Sequence, residues 1–161
     1  MTRGSNGPTS TFVESSKRRS RGRWRCTKKE SDRGKRKRVV AEPAAVTDSH
    51  ALIFHAAGGA RLGQKARAHF AAAEHRDALV YVPAAVIWEV SLLARAVRIN
   101  LHRPVRAFFD DLFSNPAYQP HDLDSPQVFH ADELRFTRDP FDALICAAAR
   151  DLGLPLITRD V

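Results

Sequence analysis

Residues 137–150, TRDPFDALICAAAR, followed directly by LPLIT at 154–158, read as a helix that feeds a short buried strand. Asp139 is an N-cap residue, Pro140 suits the first helical position, and Asp142 falls three residues after the cap. One reading of the two acids is helix capping and nothing more. The other follows from where Asp142 points: its neighbours at helical spacing are Ile145, Cys146 and Ala149, which sets it on or beside the apolar face. A carboxylate facing a core is costly unless something positive meets it. The chain supplies no basic partner for it, but it does supply further carboxylates.

Outward from this stretch, apolar runs alternate with helical patterns. VVAEPAAVTD at 39–48 holds a buried strand, Ala44–Val46, running on to Asp48. Ser49–Ala57 reads as a short helix stopped by Gly58-Gly59, and Leu62–His75 as a second. Ala78–Val82 is a strand closed by Pro83. Ala84–Val97 is a helix with the stripe Val86, Val90, Leu93 and Val97, and Glu89 lies on that stripe. Pro104–Phe113 and Ser125–Leu134 read as helices, with Tyr118–Leu123 as a strand between them. Pro140–Leu152 ends at Gly153, and Leu154–Thr158 is the fourth strand. The alternation predicts an α/β fold: a doubly wound, mostly parallel four-stranded sheet flanked by helices. Right-handed crossovers then set the strand C-termini on one edge, where ligands bind.

The chain has 161 residues and a formal charge of +8. The charge is unevenly placed. Residues 1–45 carry 14 Lys/Arg against 4 acids, a net of +10, whereas residues 46–161 carry 12 against 14, a net of −2. The basicity therefore belongs to the tail and is no evidence of a basic face on the folded part. Residues 1–38 are too poor in large apolar side chains to offset their ordering entropy and are read as a disordered tail, with the domain at 39–161. Two readings of the tail stay open: an RNA-contacting arm, with Trp24 between Arg23 and Arg25, or an incidental extension. Cys26 and Cys146 make neither a disulfide framework nor a zinc spacing. No run is long enough to span a bilayer and the start lacks a secretory segment, so a cytoplasmic protein without a membrane partner is expected.

The predicted topology gathers acids. Asp48 ends the first strand, Asp160 ends the last, and Asp142 sits in the first turn of the helix before it. Glu89, on the helix after the second strand, reaches inward. Carboxylates crowded into one crevice raise each other's pKa, and a divalent cation removes the conflict. Oxygen ligands select a hard ion, Mg²⁺ or alternatively Mn²⁺. Such an ion lowers the pKa of water and offsets charge on a phosphate in flight, so metal-dependent phosphodiester hydrolysis follows. The N-terminus of the Pro140 helix is expected to add amide donors for that phosphate. His50 is expected to pack or hydrogen-bond beside the site, and Ser49 and Thr158 to hydrogen-bond the acids or a metal water.

In the order TDSHALIF, VIWEVSLLA, RDPFDALICAAA and LPLITRD, with successive acids spaced 41, 53 and 18 positions apart, the chain resembles a PIN domain. More narrowly, it resembles the VapC toxins of type II toxin–antitoxin pairs. The resemblance covers about residues 44–161. It implies an Mg²⁺-dependent endoribonuclease toxin acting on RNA and neutralised by a VapB-type antitoxin, with a homodimer also implied. By that resemblance Asp48 and Asp142 match the principal metal ligands, Glu89 the third acid and Asp160 the fourth, while Asp139 remains a cap. Relatives continue past this point into another strand, so residues 39–161 read as a C-terminally truncated PIN-like domain. That leaves a second reading, an inactive domain that binds antitoxin or RNA. A receiver domain and an acid phosphatase are disfavoured: the last strand carries Thr-Arg-Asp instead of a lysine, and the first is followed by Asp-Ser-His instead of Asp-x-Asp. No Gly-rich phosphate loop is present.

Overall fold

The computed structural model describes residues 43–158. The basic segment 1–38, Cys26, Arg159 and Asp160 lie outside the described residues, which all fall in one compact unit, Val39–Val161. The elements run β1 (Ala44–Thr47), α1 (Ser49–Ala56), α2 (Gln64–Glu74), β2 (Leu79–Pro83) and α3 (Ala84–Arg95). They continue through α4 (Val105–Ser114), β3 (Tyr118–His121), α5 (Ser125–Glu133), α6 (Pro140–Leu152) and β4 (Leu156–Ile157). The expected fold class is the one observed: a four-stranded sheet, every pairing parallel, in the order β3-β2-β1-β4 with helices around it.

Burial explains the strand sequences. Val46, Val80 and Val82 on the two central strands are fully buried, as β-branched residues in a covered parallel sheet should be. Phe70 and Leu52 from α2 and α1, Val86 and Val90 from α3, and Ile145 from α6 complete the core. The polar third strand, YQPH, is an edge strand, where Pro120 is tolerated. The fourth is shorter than expected, two residues instead of five. Pro155 has no N–H to donate, and the Leu154 N–H donates to Ala149 O at 3.0 Å to close α6.

Among the described residues, four helices end in the same hydrogen-bonded turn, with the chain passing through the left-handed region. At Gly58 (φ 93°) and Gly153 (φ 63°) glycine takes that conformation without a steric cost. At Arg76 (φ 65°) and Val97 (φ 55°) a side chain is forced into it. At the end of α3 the Val97 N–H donates to Ala94 O (3.1 Å) and the Arg98 N–H to Leu93 O (2.9 Å), the reciprocal pair of a Schellman motif. This corrects the apolar stripe expected on α3. Val97 lies past the helix and is 88% exposed, because the chain has already turned away from the core.

The direction of the β-carbon makes Val97 a strained position that contributes little packing. Val97→Gly is expected to stabilise the protein by about 1 kcal/mol. Denaturant unfolding, with the midpoint rising and the slope unchanged, is the measurement.

Candidate metal centre

The strand order locates the site. β1, β2 and β3 are laid down in one direction; the chain then returns to place β4 on the other side of β1. The crevice opens where that order reverses, beyond the C-terminal ends of β1 and β4. Asp48 is the residue after β1 and Thr158 the residue after β4. Both line a cleft of about 400 Å³, with Asp142, His50, Phe136, Ile145, Cys146 and Leu156 as the remaining walls.

Asp48 is held from several directions. Its N–H donates to Ile157 O at 3.0 Å, which extends the β1–β4 ladder, and its carbonyl accepts from Leu52 N at 3.1 Å. Its side chain caps α1 by accepting from the Ala51 N–H. The carboxylate is half-buried, and burial pushes its pKa up. The Ala51 N–H and His50 oppose that rise, and the charge of Asp142 adds to it. Asp142 is reached from the other side. Asp139 Oδ1 accepts from Phe141 N at 2.8 Å and Asp142 N at 3.4 Å, starting α6 so that the third helical residue faces the cleft. The Thr137 hydroxyl donates to Asp142 Oδ2 at 3.5 Å.

Three expectations about these residues change. Asp142 does not face the core: its side chain is exposed, while Ile145 and Ala149 behind it are buried. In the first turn the helix is only entering the packed layer, so a side chain can leave it sideways into the cleft. Nor does the start of α6 offer amides to a phosphate. Pro140 has none, Phe141 and Asp142 donate to the Asp139 side chain, and Ala143 N donates to Asp139 O at 3.1 Å. The cap has used the donors that would have met an anion. The buried Ser49 hydroxyl has no hydrogen-bond partner among the described residues, so it does not bind either acid.

Asp48 and Asp142 are thus brought together. Glu89, half-buried on α3, does not line the cleft, and Asp160 lies outside the described residues. Among the described residues no group of three His, Cys, Asp or Glu side chains converges as a metal site. The donor set of the cleft still suits a hard cation. Two carboxylates from different elements and a threonine face one space, and among the described residues no Lys or Arg lines it. Burial pushes the Cys146 thiol up, and the charges of Asp142 and Asp48 add to the rise, which favours the neutral thiol over the thiolate. Sequence reasoning missed Phe136, a 70% exposed aromatic at the mouth of the cleft. Its signal was a large apolar residue in the non-helical link just before Thr137.

A family model for the PIN domain matches residues 45–161, and the chain belongs to that family. PIN domains are generally nucleases and typically depend on divalent metal ions. No curated protein matches the chain. Among the described residues no helix is long and apolar enough to cross a membrane.

Asp48→Asn keeps the N-cap, since Asn and Asp cap equally well, and removes a charge that burial and Asp142 both oppose. The folded state holds the Asp48 proton more tightly than the unfolded chain does, so the wild type is penalised above the folded pKa and recovers as pH falls through it. In chelator-treated buffer at neutral pH, Asp48→Asn is therefore expected to melt higher than the wild type, with the gap closing on acidification. Thermal melts across that pH range give the comparison.

Proposed function

We propose that this PIN-domain chain is an Mg²⁺-dependent endoribonuclease of the VapC type, a toxin held inactive by a VapB-type antitoxin. The observation that carries the reading is the pair Asp48–Asp142: two carboxylates from separate elements, facing one cleft at the switch point of a parallel sheet. Family membership supports the nuclease chemistry. The resemblance of TDSHALIF, VIWEVSLLA and RDPFDALICAAA to VapC proteins supports the narrower toxin role.

Asp48 and Asp142 would hold the cation. Glu89, on the helix packed against α6, and Asp160, two residues beyond Thr158, are the further acids of the proposed site. A bound divalent ion supplies the positive charge a phosphodiester requires as its bond breaks, and lowers the pKa of water nearby. The chain's own contribution is rigidity and placement. With the Ala51 N–H on Asp48 Oδ1, the carboxylate is fixed at the wall of the cleft. With Thr137 on Asp142 Oδ2, that carboxylate too is steadied while Oδ1 stays available. Because α6 has spent its amides on Asp139, the anion must be met by the cation and not by the helix terminus.

Asp142→Asn is nearly isosteric and removes one of the two charges. It is expected to lower RNA cleavage at least about a hundredfold, the scale of removing one electrostatic interaction with the transition state, with an unchanged circular dichroism spectrum. Chelation should abolish wild-type cleavage and added Mg²⁺ restore it. Wild-type rates from Asp142→Asn would exclude the nuclease reading. An intact RNA with both proteins would favour the non-catalytic binding domain. Growth arrest on expression, lost with Asp142→Asn and relieved by a co-expressed antitoxin, tests the toxin role.

A further inference from the structure

A second, larger groove of about 940 Å³ shares one wall with the acidic cleft, and the shared residue is His50. From His50 a row of flat side chains leads away along α1. His50 and Phe54 are one helical turn apart, with ring centroids 6.3 Å from each other. The guanidinium of Arg61 then lies 5.5 Å over the Phe54 ring. Arg61 reaches it because the chain reverses at Gly58-Gly59, where the Gly59 N–H donates back to Phe54 O at 2.7 Å. The link between α3 and α4, which begins at the left-handed turn at Val97, also lines the groove. It supplies the apolar Ile99 and Leu101 and the basic Arg98 and Arg103. Among the described residues the lining holds three arginines against the single acid Asp111, which Arg103 already binds at 2.8 Å. Arg61 and Arg98 have no acidic partner among the described residues.

The geometry points to this groove as the track for an unpaired RNA strand that continues from the phosphate in the acidic cleft, with bases against the His50–Phe54–Arg61 row and phosphates on Arg61 and Arg98; this rests on the ribonuclease reading above. The charge excess suits a polyanion. The apolar floor and flat side chains suit base faces, which only an unpaired strand can present. A duplex turns phosphates and sugars outward and would leave that floor unused. The acidic cleft alone repels a phosphate, so a neighbouring basic groove is also what would hold the substrate beside it.

The test measures binding of a labelled single-stranded RNA of about 12 nucleotides, by anisotropy over a salt series, to the full chain in the Asp142→Asn background. Adding Arg61→Ala and Arg98→Ala is expected to weaken binding about tenfold. It should also flatten the plot of log K against log salt by about 1.4, or about 0.7 for each phosphate that the groove no longer neutralises. The basic tail is common to both proteins, so the difference belongs to the groove. Arg61→Lys with Arg98→Lys keeps the charges and should keep the slope, which separates removal of charge from a damaged fold. Equal affinity and slope for the alanine pair would overturn the proposal. So would an equal loss on duplex RNA of the same sequence, or a change from dimer to monomer in sedimentation with RNA binding untouched. The two readings fail separately. Cleavage by Asp142→Asn at the wild-type rate would sink the catalytic assignment and leave the groove standing, whereas unaltered binding by the alanine pair would sink the groove alone.

Discussion

Two carboxylates that repel each other are held in one cleft by a backbone that gives neither room to leave. Asp48 is pinned by the strand pairing of β1 with β4 and by its role as the cap of α1. Asp142 is pinned by its place in the first turn of α6, whose buried face anchors the helix against the sheet. The repulsion, together with the burial of Asp48, is a destabilising term that the core must offset. Like charges that share one cleft are tolerated where a cation joins them. The cost falls on the free protein, and the benefit would appear when the ion binds, so stability is given up at the residues where the chemistry would occur.

The rest of the fold isolates that cost. The central strands bury valines, and Phe70, Leu52 and Ile145 pack over them as an apolar layer. A separate polar cluster shows the contrast. His55 stacks on Phe70 at 4.3 Å and meets Glu74 and Tyr118, each at 3.1 Å. There, burial pulls His55 below the usual range although Glu74 opposes it, and burial drives Tyr118 up to about 12. The Glu74 carboxylate and the Tyr118 hydroxyl share one ring nitrogen of His55, and the cluster joins α1, α2 and β3. Among the described residues neither Asp48 nor Asp142 makes an ion pair, whereas Glu74 meets His55. That difference separates a structural polar cluster from a candidate site.

Net charge concealed the second surface. The segment from residue 46 onward is slightly acidic, which argued against a basic face. Folding sorts the same charges spatially. Asp48 and Asp142 go to one side of His50, and Arg61, Arg98 and Arg103 to the other. A count along the chain cannot register such a division, because Arg61 and Arg98 are separated by two helices and a strand in sequence and come to line one groove only in the folded chain.

Local patterns determined the element order, the parallel sheet, the caps at Asp139 and Gly153, and the candidate acids Asp48 and Asp142. Each of these follows from periodicity or from one residue's backbone chemistry. Tertiary structure decided what depends on direction in space. It turned Asp142 out of the core, consumed the α6 amides within their own cap, took Val97 off the apolar stripe, and left Glu89 outside the lining of the cleft. Spacing along a chain fixes which residues can share a face. Where a side chain then points depends on how the turns at either end aim its helix, and those angles are set by packing among elements far apart in sequence.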